Sequence, residues 1–214
     1  MTVSPIDLAS LLCSRLCHDL LSPVGALNNG LELLADETDP AMRARCMELL
    51  ADSARVSANK LKFYRLAFGA GGGFGETIGA RDIEAAVRGL VADNKRIELG
   101  WFVDQPALPK TAAKVLLNLA LLAADSLVRG RHLDIGAEEG EGGTEIVVKL
   151  QGQRILLDPE LRRTLVDGAG VEEITARSAP AYITHELVVG TGGAIQVSEP
   201  ADGVMVFGAT LRAG

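Results

Sequence analysis

Aromatic residues are scarce: they make up 4% of 214 residues, with one Trp, two Tyr and five Phe. A core with so few rings must be filled by Leu, Val, Ile and Ala, a composition that suits helices. Cysteine is equally sparse. Cys13, Cys17 and Cys46 are odd in number and fall in helical patterns, which argues against a disulfide framework and for a cytoplasmic protein. Basic excess is absent too, because 21 Lys and Arg face 28 Asp and Glu, for a formal charge of -7. A nucleic-acid footprint needs the opposite balance, so no nucleic acid is expected as a partner. No apolar run reaches the ~18 residues that would span a bilayer, and no membrane is expected either. The N-terminus carries Asp7 early and shows no charged stretch followed by an apolar run and a cleavage site. What is present is a core-forming composition, 48% hydrophobic and 23% charged, which excludes a disordered chain.

The strongest break is Gly69 to Gly75, five glycines in seven residues, which reads as a flexible linker over 69–76. It divides a helical region, about 1–68, from a mixed region, about 77–214. In the first region Leu12, Leu16, Leu20, Val24, Leu27, Leu31 and Leu34 recur at helical spacing. Ser4 and Pro5 start that helix as cap and first residue. A short turn follows, and Asp39 with Pro40 starts a second helix carrying Met42, Cys46, Leu49, Leu50, Val56, Leu61, Tyr64 and Phe68. A lone hairpin of this kind cannot bury both stripes, so a dimeric four-helix bundle is expected. In the second region helices are expected over 81–93, 110–128, 158–166 and 181–189. Strands are expected over 97–103, 133–137, 146–150, 194–197 and 204–211. The fold class is therefore α+β: an N-terminal helical hairpin followed by a C-terminal α/β sandwich.

His18 carries the chemical interest. At about 100° per residue, Leu16, Leu20, Leu27, Leu31 and Leu34 lie roughly 160 to 220° away from it, on the opposite side of the helix. Its own face holds Ser14, Ser22, Gly25 and Asn29, with Leu11 as the one apolar member. A histidine in this setting is either a solvated surface residue or a reactive one. Asp19, directly after it, can hold the imidazole and set its basicity. Pro23 lies mid-helix, removes an amide donor and frees the carbonyl of Asp19, at a cost of roughly 3 kcal/mol in a helix interior. A neutral imidazole is a good nucleophile near pH 7, and the small side chains beside it leave room for a bulky phosphate donor or acceptor.

Cys17-His18-Asp19-Leu20-Leu21-Ser22-Pro23-Val24 resembles the phospho-acceptor box of sensor histidine kinases, usually Ser-His-Glu-Leu-x-x-Pro-Leu. The second region is similar to a Bergerat-type ATP-binding domain, most clearly over Leu187 to Ser198 and Gly203 to Leu211. Lys114 to Ala124 resembles the asparagine box. Asn118 matches its first asparagine, but Leu122 stands where the metal-binding one belongs. Leu150 and Arg154 stand at the adenine-reading Asp and one glycine of the glycine box. Ser178 to Tyr182 occupies the lid with no glycine at all. Leucine offers Mg²⁺ no oxygen and adenine no acceptor, so ATP binding is not expected. An acceptor box joined to a degenerate ATPase-like domain is similar to the ChpT-type histidine phosphotransferases of alphaproteobacteria.

That resemblance implies a homodimeric relay enzyme, a protein-histidine phosphotransferase without autokinase activity. His18 takes a phosphoryl group through Nε2 from one receiver aspartate and hands it to another, with Asp19 as its support. The receiver is expected to dock on the face below His18, near Ser22, Gly25 and Asn29. Counting back from the turn puts the facing part of the second helix near residue 58, where Arg55, Asn59 and Lys60 are expected to meet an acidic receiver. No cofactor is implied, since the receiver brings Mg²⁺. The implied partners are the receiver domain of a hybrid histidine kinase and response regulators resembling CtrA and CpdR. Three alternatives stand beside this one: an ATP-dependent kinase core, a receiver-binding scaffold with His18 idle, and a metal clasp formed by Cys13, Cys17 and His18. His132 and His185 have no partner motif and read as structural.

Overall fold

The computed structural model describes residues 3–69, 75–94, 96–170 and 173–213. Helix α1 (Pro5–Asp36) starts as expected: the Ser4 hydroxyl accepts the Asp7 amide at 3.2 Å and Pro5 takes the first position. Its C-terminal carbonyls meet Arg43, whose Nη1 donates to Leu34 at 3.0 Å and to Glu37 at 2.7 Å. Helix α2 (Pro40–Ala67) is capped by Asp39, which accepts the amides of Ala41 and Met42. The two helices run antiparallel, since Asp19 lies against Lys60 and Tyr64 while Gly30 lies against Leu50. Along α1 only Pro23 is buried, and along the first half of α2 only Cys46. One hairpin thus makes almost no core of its own, as its two apolar stripes predict.

The end of α2 behaves differently. Phe63, Tyr64, Leu66 and Ala67 are buried in the same hydrophobic core as the C-terminal region. Most of the expected glycine linker, residues 70–74, lies outside the described residues. The chain resumes in β1 (Thr77–Gly79) and α3 (Ala80–Val91), then β2 (Glu98–Val103) and β3 (Ala107–Pro109). Helix α4 (Lys110–Ser126) is apolar almost all round and almost wholly buried. It ends two residues short of the expected Val128, because Leu127 already pairs with Ile155 in the sheet.

The remaining elements are β4 (Leu127–Gly140), β5 (Gly143–Ile155), α5 (Pro159–Asp167), α6 (Ala179–Val189), β6 (Ala194–Val197) and β7 (Val204–Arg212). Five strands form one sheet in the order β2-β4-β5-β7-β6, with β2 and β4 parallel and the other pairs antiparallel. Ile135, Ile146, Val148, Leu150, Met205 and Phe207 point inward under the helices, while Phe102, Glu145 and Val147 on the outer face are exposed. This is a two-layer α/β sandwich, and the α+β class is as expected. Strands β4 and β5 run well past the expected 133–137 and 146–150, since their ends carry Arg, Gly and Glu in place of alternating apolar residues. The pairing of β1 with β3 was not expected, because three-residue strands carry no readable period. Among the described residues no helix is long and apolar enough to cross a membrane.

Candidate active site

His18 sits midway along α1 with its side chain 84% exposed. Its Nδ1 lies 3.1 Å from Oδ1 of Asp19, which is only 15% exposed. The other oxygen of Asp19, Oδ2, accepts from Arg15 Nε at 2.8 Å and from the Tyr64 hydroxyl. Arg15 reaches onward, and its Nη2 meets Asp125 Oδ2 at the end of α4 at 2.6 Å. Three helices thus converge on the group that holds the histidine.

The charges in this cluster follow from the contacts. Burial pushes the Asp19 carboxyl up, but hydrogen bonds from Tyr64 and His18 and the Arg15 charge outweigh it and hold Asp19 below the usual carboxylate range. Burial raises Tyr64, and the bond to Asp19 raises it further, so the phenol stays a donor. Burial opposes the charge on Arg15, yet Asp125 and Asp19 overcome it and keep the guanidinium protonated. An ionised carboxylate only accepts, so the atom facing it on neutral His18 is Nδ1–H. The lone pair is then on Nε2, the outer nitrogen of an exposed ring.

Pro23 explains a further contact. It has no amide to offer the Asp19 carbonyl, and Lys60 Nζ on α2 donates to that oxygen at 3.0 Å. Lys60, expected in the receiver-docking set, is therefore turned inward and half-buried. Asn59 is also half-buried and faces α3, where a Cβ on Gly89 would come within 3.1 Å of it. Ser22, Asn29 and Arg55 are exposed, with Arg55 paired to Asp52 at 2.7 Å. Gly25 is half-buried, and a Cβ there would meet nothing within 4 Å, which leaves open space beside it. Cys13 and Cys17 are exposed free thiols, and among the described residues no three His, Cys, Asp or Glu side chains are grouped to hold a metal ion.

Three residues at the nucleotide-box positions, Asn118, Leu122 and Leu150, are built into the core, while Arg154 is exposed. Asn118 is fully buried, donating Nδ2 to the Lys114 carbonyl at 2.9 Å and to Ala67 at 3.5 Å. Leu122 is buried beside it, and Leu150 is buried in mid-strand opposite Leu133 and Met205. The expected lid position is the start of α6. There Ala179 and Tyr182 pack with Ile174 against Leu8, Leu11 and Leu12 of α1.

Comparison with known proteins decides the family. The profile described as Histidine phosphotransferase C-terminal domain matches residues 80–203. Protein phosphotransferase ChpT of Brucella abortus (strain 2308) is 35% identical over 209 residues, covering 96% of each chain. The chain belongs to the histidine phosphotransferase family. A solved structure of a bacterial phosphotransferase has the same fold, with a TM-score of 0.84, 34% identity and 98% of each chain covered. As a member of this family the protein is a phosphorelay histidine phosphotransferase, a transferase whose partners are receiver domains.

The reading of the sequence missed Arg15, Tyr64 and Asp125 in this phosphotransferase. Arg15 was legible, four residues before Asp19 on one helix. Tyr64 required the register of the hairpin, which counting from the turn put nearer residue 58. Asp125 carried no local signal.

Proposed function

We propose that His18 is the phosphoryl carrier of this phosphotransferase. The observation that carries the reading is the exposed imidazole held through Nδ1 by an ionised, buried carboxylate, which leaves Nε2 outward as the nucleophile. Nε2 attacks the phosphorus of an aspartyl phosphate on a receiver domain. An N–P bond forms, the P–O bond to the aspartate breaks, and its electron pair returns to that carboxylate. No proton moves, because Nδ1 keeps its hydrogen on Asp19, whose negative charge offsets the positive ring. The same steps in reverse pass the group to a second receiver. Mg²⁺ comes with the receiver, and His18 needs only in-line access.

The open space at Gly25, with Ser22, Asn29 and Arg55 exposed, forms the docking surface, and Asn59 and Lys60 form its half-buried edge. The donor is the receiver of a hybrid histidine kinase, and the acceptors are response regulators resembling CtrA and CpdR, as the family resemblance implies. The protein acts as a homodimer whose hairpins complete a four-helix bundle, a reading supported by the exposed stripe residues Leu31 and Leu49. Autokinase activity is not part of the function, a reading supported by the burial of Leu122 and Leu150 in the core. The free thiols fit a reducing, cytoplasmic compartment.

The test is transfer from a phosphorylated receiver domain without ATP, comparing wild type with His18→Ala. Acid-labile, base-stable phosphate is expected on wild type and not on the variant. Phosphate appearing equally on both would remove His18 from the reaction.

A further inference from the structure

The Asp19 carboxylate is divided between two tasks. Oδ2 is anchored by two donors from different helices, Arg15 Nε and the Tyr64 hydroxyl, while the partner of Oδ1 among the described residues is His18. A carboxylate held by one contact can turn about its own bond, whereas one pinned at Oδ2 presents Oδ1 in a fixed direction. The anchor is itself anchored, because Arg15 is bound by Asp125, 110 residues away on α4. Arg15 is 12% exposed, and a buried ion pair contributes little net stability compared with apolar packing. Such a chain beside the reactive nitrogen is better explained by geometry than by stability. The charged and titratable groups lining the cleft behind it are Lys60, Asp93 and Asp125, besides Arg15, Asp19 and Tyr64.

We infer that Tyr64, Arg15 and Asp125 are positioning residues for phosphoryl transfer, acting through Asp19 to hold His18 with its Nδ1 protonated and Nε2 aimed at the receiver. The C-terminal domain is thereby part of the transfer site, since Asp125 fixes the far end of the chain. The inference rests on His18 being the carrier. It adds that the second domain contributes to the rate, and that Asp19 orients the ring without accepting a proton.

Full-length Tyr64→Phe and Asp125→Asn test it. Tyr64→Phe removes only the hydroxyl and keeps the ring that stacks on Phe68 with centroids 5.2 Å apart. With saturating receiver, the first-order transfer rate is expected to fall on the order of 10- to 100-fold in Tyr64→Phe and about 10-fold in Asp125→Asn, the scale of a misaligned nucleophile. Receiver affinity should stay within about 2-fold, because the anchor acts on alignment and not on docking. Asp125→Glu, which restores the charge, should recover part of the rate. Nitrogen-15 NMR of His18 should show Nδ1–H in wild type and a mixture of tautomers in Tyr64→Phe. Unchanged rates and tautomers in both variants overturn the inference, as does a rate loss explained entirely by weaker receiver binding. If Tyr64→Phe fails to fold, Asp125→Asn, whose site is partly exposed, decides alone. The NMR readout needs no phosphate, so it stands apart from the His18→Ala result on which the carrier assignment depends.

Discussion

Asp19 is the residue on which the site turns, and its ionisation gives it a pH signature. Its carboxyl is held below the usual carboxylate range in the fold, against an ordinary value of ~3.9. A depressed folded value means that the charged form stabilises the protein. That contribution is present in full above about pH 4 and is lost as pH falls through the lower folded value. Denaturant unfolding of wild type and Asp19→Asn from neutral pH downward should show a stability gap that narrows only at acid pH. A gap that does not change with pH would mean that the charge of Asp19 contributes nothing. At this scale the sequence showed His18 and Asp19 directly, because they are neighbours in the chain. Arg15 was readable from helical spacing. Tyr64 and Asp125 were not, because nothing local in a sequence records which side chain a distant helix brings to a carboxylate.

Within α1 the informative defect is Pro23. The amide it lacks leaves the Asp19 carbonyl to Lys60, so the Pro and the Lys form a pair across the hairpin. Lys60→Met, which keeps the stem and removes the donor, should cost about 1–3 kcal/mol of unfolding free energy. In a Pro23→Ala background the restored amide takes the carbonyl, and the same substitution should cost close to nothing. A double-mutant cycle by chemical denaturation measures the coupling, and additive effects would dissolve the pair. The starts of the helices were readable where a cap marked them, as at Ser4 and Asp39. Strand lengths were not. Arg129, Gly152 and Arg154 extend β4 and β5 through backbone pairing alone, which hydrophobic period cannot register.

Among the described residues the main core takes in the last turns of α2, a smaller cluster packs Ile174, Ala179 and Tyr182 against α1, and the rest of the hairpin has its stripes incompletely covered. Leu31 is 57% exposed and Leu49 65% in the single chain. Sedimentation should therefore give twice the monomer mass, and Leu31→Glu with Leu49→Glu should shift it toward one chain without unfolding the sandwich. A wild-type protein that sediments as a monomer at micromolar concentration would end the bundle reading. The substitution of box residues by leucine also belongs to this scale. From the sequence Leu122 and Leu150 are expected not to serve a nucleotide, and the packing shows them as core residues.

The helical hairpin, its caps and turn, the α+β class, the exposed face of His18 and its acidic neighbour are all legible in the order of the residues alone. Each of these depends on residues within a few turns of one another, where spacing and propensity act. It took the packing of the helices to turn Lys60 inward, to face Asn59 toward α3, to bring Tyr64 to Asp19 and to bring Asp125 to Arg15. Those contacts join residues 30 to 110 positions apart. Such meetings are set by how whole helices pack, and no local pattern in the chain encodes them.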